Sequence, residues 1–300
     1  KRSIAILDHL KFKQKRHTLQ ADLSQLKQVC SYLYDKYCPA SIYKRRNVEQ
    51  TQVSDIKILA LLCLQIISNT PSQREFFRRA KQFIPHQLEL DRTRFNRRAQ
   101  QLLPVVIAIR QGLTCEFAQT GQIAIIDSLP NPLCQKVRNK RAKIFPGLAN
   151  IGYNATKNMY FYGFKTHLAV TTNGYILNYD VTSASVTQAA TTLIEGCPCP
   201  FVLADVGYVG QKLKEKFRKM GYLLWTPYRS NMQDAKKHNN RALKRLRRTI
   251  ESRFSILVDN YGIERNLTRS LVGFWLKIEL TVFVYDLGFF DFDENGIITN

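Results

Sequence analysis

Three acidic residues in the second half of the chain have the surroundings of a metal-binding site. Asp127 ends the apolar run of IAIIDSLP, Asp205 ends that of FVLADVGYVG, and Glu251 lies in RRTIESRFSILV, whose apolar residues recur at helical steps. Carboxylates are the ligands that hard cations such as Mg²⁺ take in proteins. Two carboxylates at strand ends and a third on a later helix therefore predict an oxygen-ligated divalent-metal site.

Each of these carboxylates, taken singly, also has an ordinary structural explanation. Asp127 could cap a strand end, and Asp205 could form the turn that precedes Gly207. Glu251 could form ion pairs with the arginines that precede it in its own helix. These explanations stay open for each residue, whereas the joint occurrence of all three favours a metal site.

The elements that must position these residues begin near Gly121, where the character of the sequence changes. Short runs rich in β-forming residues alternate with amphipathic runs, and Asn173-Gly174 is a strong hairpin signal. The pattern predicts strands at 122–126, 160–172, 175–181, 201–204 and 222–225, and helices at 187–195, 211–220, around 251 and at 271–287. We therefore expect a mixed α/β domain, with a five-stranded sheet and helices, over residues 116–290, followed by a short acidic tail at 291–300.

Residues 1–20 are polar and basic, and residues 22–113 are predicted to be all-helical, with a basic linker at 40–50. Ser72 and Glu75 form a capping-box pattern, and Pro104 is expected to kink or restart a helix. A short basic helix follows two apolar ones, which is the order of a helix-turn-helix. Residues 1–115 are therefore predicted to be an all-α DNA-binding domain with contacts from Arg92, Arg94, Arg97 and Arg98. A solvated arginine face on a plain helical bundle is the other interpretation.

The charge balance points to a polyanionic partner. The chain has 45 Lys and Arg against 23 Asp and Glu, a net charge of +22, and such a protein usually binds nucleic acid. An anionic membrane is the weaker alternative, because the basic residues are not gathered on one amphipathic helix. The sequence shows no signal-peptide pattern and no run that could span a bilayer, and its seven scattered cysteines fit reduced thiols in a cytoplasm.

Five motifs resemble those of a known family. They are IIDSLP at 125–130, YGFKTHL at 162–168, ADVGY at 204–208, TPYRSNM at 226–232 and RRTIESRFSIL at 247–257. Together they resemble a DDE transposase of bacterial insertion sequences, and most of all the insertion sequence 982 family. The resemblance covers about residues 50–287, and it implies a ribonuclease-H-like fold for the α/β domain.

The resemblance implies both a reaction and its residues. Asp127, Asp205 and Glu251 would be the catalytic triad and would hold two Mg²⁺ ions, for which Mn²⁺ could substitute. The reaction would be hydrolysis and then 3′-OH strand transfer at the terminal inverted repeats of a mobile element, on double-stranded DNA, by a homodimer or larger assembly in a bacterial cytoplasm. DNA contacts are further expected from Arg138, Lys140, Arg141, Tyr228, Arg229, Lys244, Arg247 and Arg248. His167 is expected to be a packed strand residue.

Some positions depart from the family pattern. Thr187-Gln188 stands where many relatives have a His-Asp pair, and Val206 and Val258 stand where Lys or Arg is common. These departures leave the three carboxylates intact. They keep open a decayed or repurposed transposase that only binds DNA, and a ribonuclease-H-like nuclease without preference for repeat ends is a third possibility.

Overall fold

A computed structural model of the chain describes residues 16–46, 50–117, 121–154, 157–183 and 189–299. The first fifteen residues of the predicted DNA-binding region and Thr187-Gln188 lie outside this description. The chain divides into two compact units, one formed by Lys1–Leu113 with Leu257–Asn300 and the other by Thr114–Ile256. This division describes compact units. The functional domains expected from the sequence, 1–115 and 116–290, remain a prediction.

The first unit is mainly helical, and the centre of the second unit is made of β-strands. The helices are α1 (Arg16–Tyr37), α2 (Ala40–Tyr43), α3 (Asp55–Ile67), α4 (Gln73–Phe83), α5 (Arg92–Gln101), α6 (Leu103–Phe117), α7 (Ala190–Leu193), α8 (Gln211–Lys219), α9 (Ala235–His238), α10 (Arg241–Arg247), α11 (Thr249–Asp259) and α12 (Leu271–Leu287). The strands are β1 (Ile123–Pro132), β2 (Asn150–Asn154), β3 (Met159–Thr171), β4 (Ile176–Ser183), β5 (Phe201–Ala204) and β6 (Leu223–Trp225). Within the described ranges, no helix is long and apolar enough to cross a membrane.

The helical unit is built around α3 and α12, whose residues are buried on almost every side. The start of α4 follows the predicted cap, since the Ser72 hydroxyl accepts a hydrogen bond from the Glu75 N–H at 3.2 Å. A new helix, α6, starts at Leu103, next to Pro104, as the sequence predicts. Arg110 and Glu279 form a buried ion pair at 2.6 Å between α6 and α12.

One buried acid in this unit changes the role of a predicted DNA contact. Asp55, at the start of α3, is 6% exposed. It accepts a hydrogen bond from the Tyr34 hydroxyl at 2.9 Å and pairs with Arg45 at 2.6 Å. Arg98 pairs with the same carboxylate at 2.7 Å and also donates to the Val53 carbonyl. The guanidinium of Arg98 is thus committed to an internal ion pair that fastens α5 to α3.

The second unit is centred on a mixed sheet with the strand order β2-β3-β1-β5-β6, in which β4 also pairs with β3. The pairs among β1 to β4 are antiparallel, and β1–β5 and β5–β6 are parallel. The described residues contribute six strands to this sheet, so the prediction of five was wrong by one. The missing strand is β2, a run of only five residues whose apolar side chains, Ile151 and Tyr153, are exposed while Gly152 is buried.

The first strand also extends further than predicted. It was expected to end at Asp127, but it continues to Pro132 and pairs with β3 throughout. The extension includes Pro130 and Pro132 of LPNP. They are tolerated because β5 pairs with β1 only up to Ile126, so that one edge of β1 is open beyond that point. Asp127 consequently lies within a strand and is held on one side by the neighbouring β3.

Candidate active site

Two of the three predicted carboxylates are brought together by the register of parallel strands. In the β1–β5 pair, Ile126 lies opposite Ala204. The next residue on each strand is an aspartate, Asp127 on β1 and Asp205 immediately after β5. Because parallel neighbours advance in the same direction, the two side chains reach the same edge of the sheet at the same level.

The third carboxylate arrives on a helix from the end of the same unit. The Asn240 side chain caps α10 by accepting hydrogen bonds from the N–H groups of Ala242 and Leu243 at 2.8 and 3.3 Å. Arg247 ends α10, and Glu251 lies one helical turn later in the first turn of α11. This spacing of four residues puts Arg247 and Glu251 on the same helical face.

A single guanidinium joins all three carboxylates. Arg247 Nη1 lies 3.2 Å from Asp127 Oδ2 and 3.8 Å from Asp205 Oδ1, and Arg247 Nη2 lies 3.0 Å from Glu251 Oε1. The side chains of Arg247 and Asp127 are 17% and 18% exposed, whereas those of Asp205 and Glu251 are 44% and 55% exposed. The site is therefore closed at Asp127 and open to solvent at the other two carboxylates.

The electrostatics of Asp127 agree with the closeness of the three acids. Burial is the main cause that raises the pKa of Asp127, to about 6; the negative charges of Asp205 and Glu251 act in the same direction, and the Ser128 N–H and Arg247 act against them. The Ser128 N–H donates to Asp127 Oδ1 at 2.7 Å.

The donor set fits a divalent cation in charge and in chemistry. Three carboxylates surround one positive group, and hard oxygen ligands are those that Mg²⁺ and Mn²⁺ prefer. In the structure the group between the three carboxylates is a guanidinium, whose nitrogens lie 3.0–3.8 Å from their oxygens. Accordingly, no group of three or more His, Cys, Asp and Glu residues in the described part of the chain is already arranged to hold a metal.

A buried hydrogen-bonded chain lies behind the site. Tyr208, in the 3₁₀ helix Val206–Tyr208 that follows Asp205, bonds through its hydroxyl to His167 Nδ1 at 3.0 Å. His167 Nε2 bonds to the Thr182 hydroxyl at 2.8 Å. His167 is only 1% exposed, which agrees with the expectation of a packed strand residue. These hydrogen bonds hold the turn after Asp205 against β3 and β4.

The buried imidazole predicts a loss of stability in acid. Burial lowers the pKa of His167 to about 4, opposed by Asp180 and assisted by Lys165. His167 therefore stays neutral in the folded protein while the unfolded chain takes up a proton below about pH 6.5. The free energy of unfolding is therefore highest above pH 6.5 and falls as the pH is lowered towards 4. Between pH 7 and pH 5 the decrease is about 2 kcal/mol.

This loss can be measured by urea unfolding at pH 7 and pH 5. The wild type should lose about 2 kcal/mol more than His167→Gln over this interval, because glutamine keeps hydrogen-bonding capacity but does not titrate. An equal loss in both proteins would show that His167 is not the responsible group.

The predicted DNA contacts fall into three groups in the structure. On α5, Arg92 and Arg97 are exposed and Arg94 pairs with Asp91 at 3.3 Å. On the 3₁₀ helix Lys136–Arg141, the side chains of Arg138, Lys140 and Arg141 are all exposed. The third group, in the unit that holds the acids, contains the exposed Arg229 and Arg248 and the half-buried Tyr228 and Lys244.

Several contacts of this third group were not foreseen from the sequence. The Tyr228 ring stacks on His238 with 3.7 Å between ring centroids, and Lys214 Nζ lies 5.0 Å from the Tyr228 ring centre. The link from His167 to Tyr208 was missed as well, because it joins residues 41 apart. The ion pair of Arg247 with Glu251 could have been predicted from their spacing of four residues. The contacts of Arg247 with Asp127 and Asp205 could not.

The comparison with protein families agrees with this geometry. Residues 117–271 match the family described as the transposase DDE domain, and this match covers just over half of the chain. The chain belongs to this family, and it is thus a DDE transposase, an enzyme that cleaves and joins DNA in transposition. The mixed sheet with its helices fits the ribonuclease-H-like fold. A search of curated proteins finds no match to the chain.

Proposed function

We propose that this transposase cuts and joins phosphodiester bonds at the ends of its own mobile element, with Asp127, Asp205 and Glu251 as its catalytic carboxylates. The observation that carries the proposal is the convergence of these three acids on Arg247 from three separate elements. The motifs around them further support a relationship to the insertion sequence 982 family.

The three carboxylates would hold two divalent ions. When bound, Mg²⁺ or Mn²⁺ would activate the attacking oxygen, first of water and then of the 3′-OH, and stabilise the departing one. Asp127, the most buried of the acids, would hold these ions together with the more exposed Asp205 and Glu251. The raised pKa of Asp127 means that cation binding there would also displace a proton near pH 6.

Arg247 would alternate between two partners. Its guanidinium holds the three carboxylates together and reduces their mutual repulsion. Cation binding would release this side chain, whose planar fork suits a phosphate oxygen of the DNA. The DNA contact predicted for Arg247 from the sequence would therefore form when its ion pairs with the carboxylates are released.

The proposed DNA contacts come mainly from exposed cations. In the helical unit they are Arg92, Arg94 and Arg97; in the second unit they are Arg138, Lys140, Arg141, Arg229 and Arg248, with the half-buried Tyr228 and Lys244. Arg98 is left out, because its guanidinium pairs with Asp55. Bringing two element ends together requires at least two active sites, so we propose a homodimer or larger assembly on double-stranded DNA, in the cytoplasm of a bacterium at its nucleoid.

Cleavage of an end-labelled duplex tests this proposal. The substrate carries the flanking terminal inverted repeat, and the matched control carries the same bases in scrambled order. Nicking at the 3′ end of the repeat in Mg²⁺ or Mn²⁺, and its absence in EDTA, is the expected result. Equal nicking of both duplexes would indicate a nuclease without end specificity, and binding without nicking in either metal would reduce the protein to a DNA-binding one.

A further inference from the structure

A pair of tyrosines lies exposed at the edge of the sheet in the second unit. Tyr153 of β2 and Tyr160 of β3 face each other in the antiparallel register. They are 44% and 62% exposed, and their ring centroids are 5.1 Å apart at an interplanar angle of 56°. The Tyr153 hydroxyl bonds to the Asn158 side chain, which restricts one of the rings. We call this pair the tyrosine platform.

A basic 3₁₀ helix is fastened directly beside the platform. The Asn139 side chain donates a hydrogen bond to the Tyr160 carbonyl at 2.9 Å and accepts one from the Tyr162 N–H at 3.2 Å. The pairing of β3 with β1 ends at Gly163. Asn139 thereby hydrogen-bonds to backbone groups of β3 beyond that end. Since Asn139 lies within Lys136–Arg141, the cations of this helix are held next to Tyr160.

The chain around the platform carries positive charge only. The 52 residues between Asp127 and Asp180 contain seven Lys and Arg and no Asp or Glu. The five cations of the segment 136–143 are exposed, and no ion pair with an acid forms at any of them within the described residues: Lys136, Arg138, Lys140, Arg141 and Lys143. Exposed aromatic rings beside unpaired cations are the combination that binds single-stranded nucleic acid.

We propose that the tyrosine platform and its basic helix bind unpaired nucleotides of single-stranded DNA. Unpaired bases can stack on Tyr153 and Tyr160, whereas the bases of a duplex are already stacked on one another, and the cations of Lys136–Arg141 would contact the phosphates. The inference rests on the proposed action at DNA ends, where a cut strand has a free end whose bases can unpair from the partner strand. The platform would hold such a strand.

Charge also argues against a second copy of this chain as the occupant. A symmetric contact through the platform would place two basic helices face to face, and like charges across an interface disfavour association. A strand of DNA carries the complementary charge. Association of two copies is therefore an outcome to be detected in the test.

The test is a comparison of single-stranded and duplex binding by the full chain. Fluorescence anisotropy at one fixed salt concentration measures the affinity for a labelled oligothymidine and for a hairpin duplex with the same number of phosphates. The variant Tyr153→Leu/Tyr160→Leu removes both rings, and Tyr153→Phe/Tyr160→Phe keeps them. Tyr43→Leu, at a tyrosine that is 49% exposed in the helical unit, is the matched control.

We expect the leucine variant to lose about ten- to a hundredfold in affinity for the oligothymidine and less than twofold for the hairpin. The phenylalanine variant and Tyr43→Leu should bind both DNAs like the wild type. The inference would be overturned if the leucine variant lost affinity equally for both DNAs or for neither. It would also be overturned if the variant changed from dimer to monomer in sedimentation while keeping its affinity for the single strand.

Failure of this inference and failure of the proposed function give different results. If the carboxylates are catalytic but the platform is not a binding surface, the leucine variant keeps its single-strand affinity while Asp127→Asn abolishes cleavage. If the platform binds single strands but the proposed function fails, single-strand affinity depends on the tyrosines while cleavage of repeat ends is absent from the wild type.

Discussion

Replacement of Asp127 by asparagine is expected to reduce the rate of DNA cleavage by about 10³-fold or more, because residues that act as one catalytic unit lose most of their effect when one is removed. Asparagine has nearly the same shape as aspartate but carries no charge, so it would weaken cation binding at the most buried of the three acids. Single-turnover cleavage of the repeat-end duplex in Mg²⁺ measures the effect.

The control for this experiment is the same chemical change elsewhere in the unit. Asp234 is exposed on a turn with a left-handed φ of 56°, a conformation that asparagine also adopts readily. Asp234→Asn should cleave within about twofold of the wild type. Cleavage by Asp127→Asn at a rate comparable to that of Asp234→Asn would remove Asp127 from the mechanism.

Replacement of Arg247 by alanine is expected to tighten binding of Mn²⁺ by the DNA-free protein about 30- to 100-fold. In the wild type a cation must displace the guanidinium that lies 3.0–3.8 Å from all three carboxylates. Charges at such distances interact by about 4 kcal/mol each at an effective dielectric constant of 20, and solvation of the released guanidinium offsets most of this. Titration with Mn²⁺, followed by electron paramagnetic resonance of the free ion, measures the affinity.

Arg245→Ala is the matched control, because it removes the same charge from the same helix at an exposed position. Its affinity for Mn²⁺ should stay within about threefold of the wild type, since distant surface charge acts weakly. Equal affinities of the Arg247 and Arg245 variants would show that Arg247 does not compete with the cation. Cleavage by Arg247→Ala should nevertheless fall, because its proposed contact with phosphate is lost.

The carboxylates of the site were predictable from the sequence because each follows or accompanies a strong local pattern. Asp127 and Asp205 come after buried apolar runs, and Glu251 lies on a helix with a clear period. The parallel register that puts the two aspartates at one level is a long-range property. It became visible only when β1 and β5 were seen to pair.

What the sequence did not reveal depends on residues that are far apart or locally featureless. β2 is only five residues long and exposes its apolar side chains, so neither it nor the exposed pair formed by Tyr153 and Tyr160 was predicted. Arg98 looked like its neighbours on a basic helix, yet it pairs with Asp55, 43 residues earlier. Such assignments depend on tertiary pairing, which composition and period do not encode.

The most direct test of the account concerns Glu251, whose ordinary alternative is a simple ion pair with Arg247 on one helical face. The measurement is cleavage of the labelled repeat-end duplex in Mg²⁺ and in Mn²⁺ by the wild type and by Glu251→Gln. The account predicts metal-dependent nicking at the 3′ end of the repeat by the wild type and its loss in the variant, with DNA binding retained. Nicking by Glu251→Gln at the rate of the wild type would contradict it and leave Glu251 as a surface partner of Arg247.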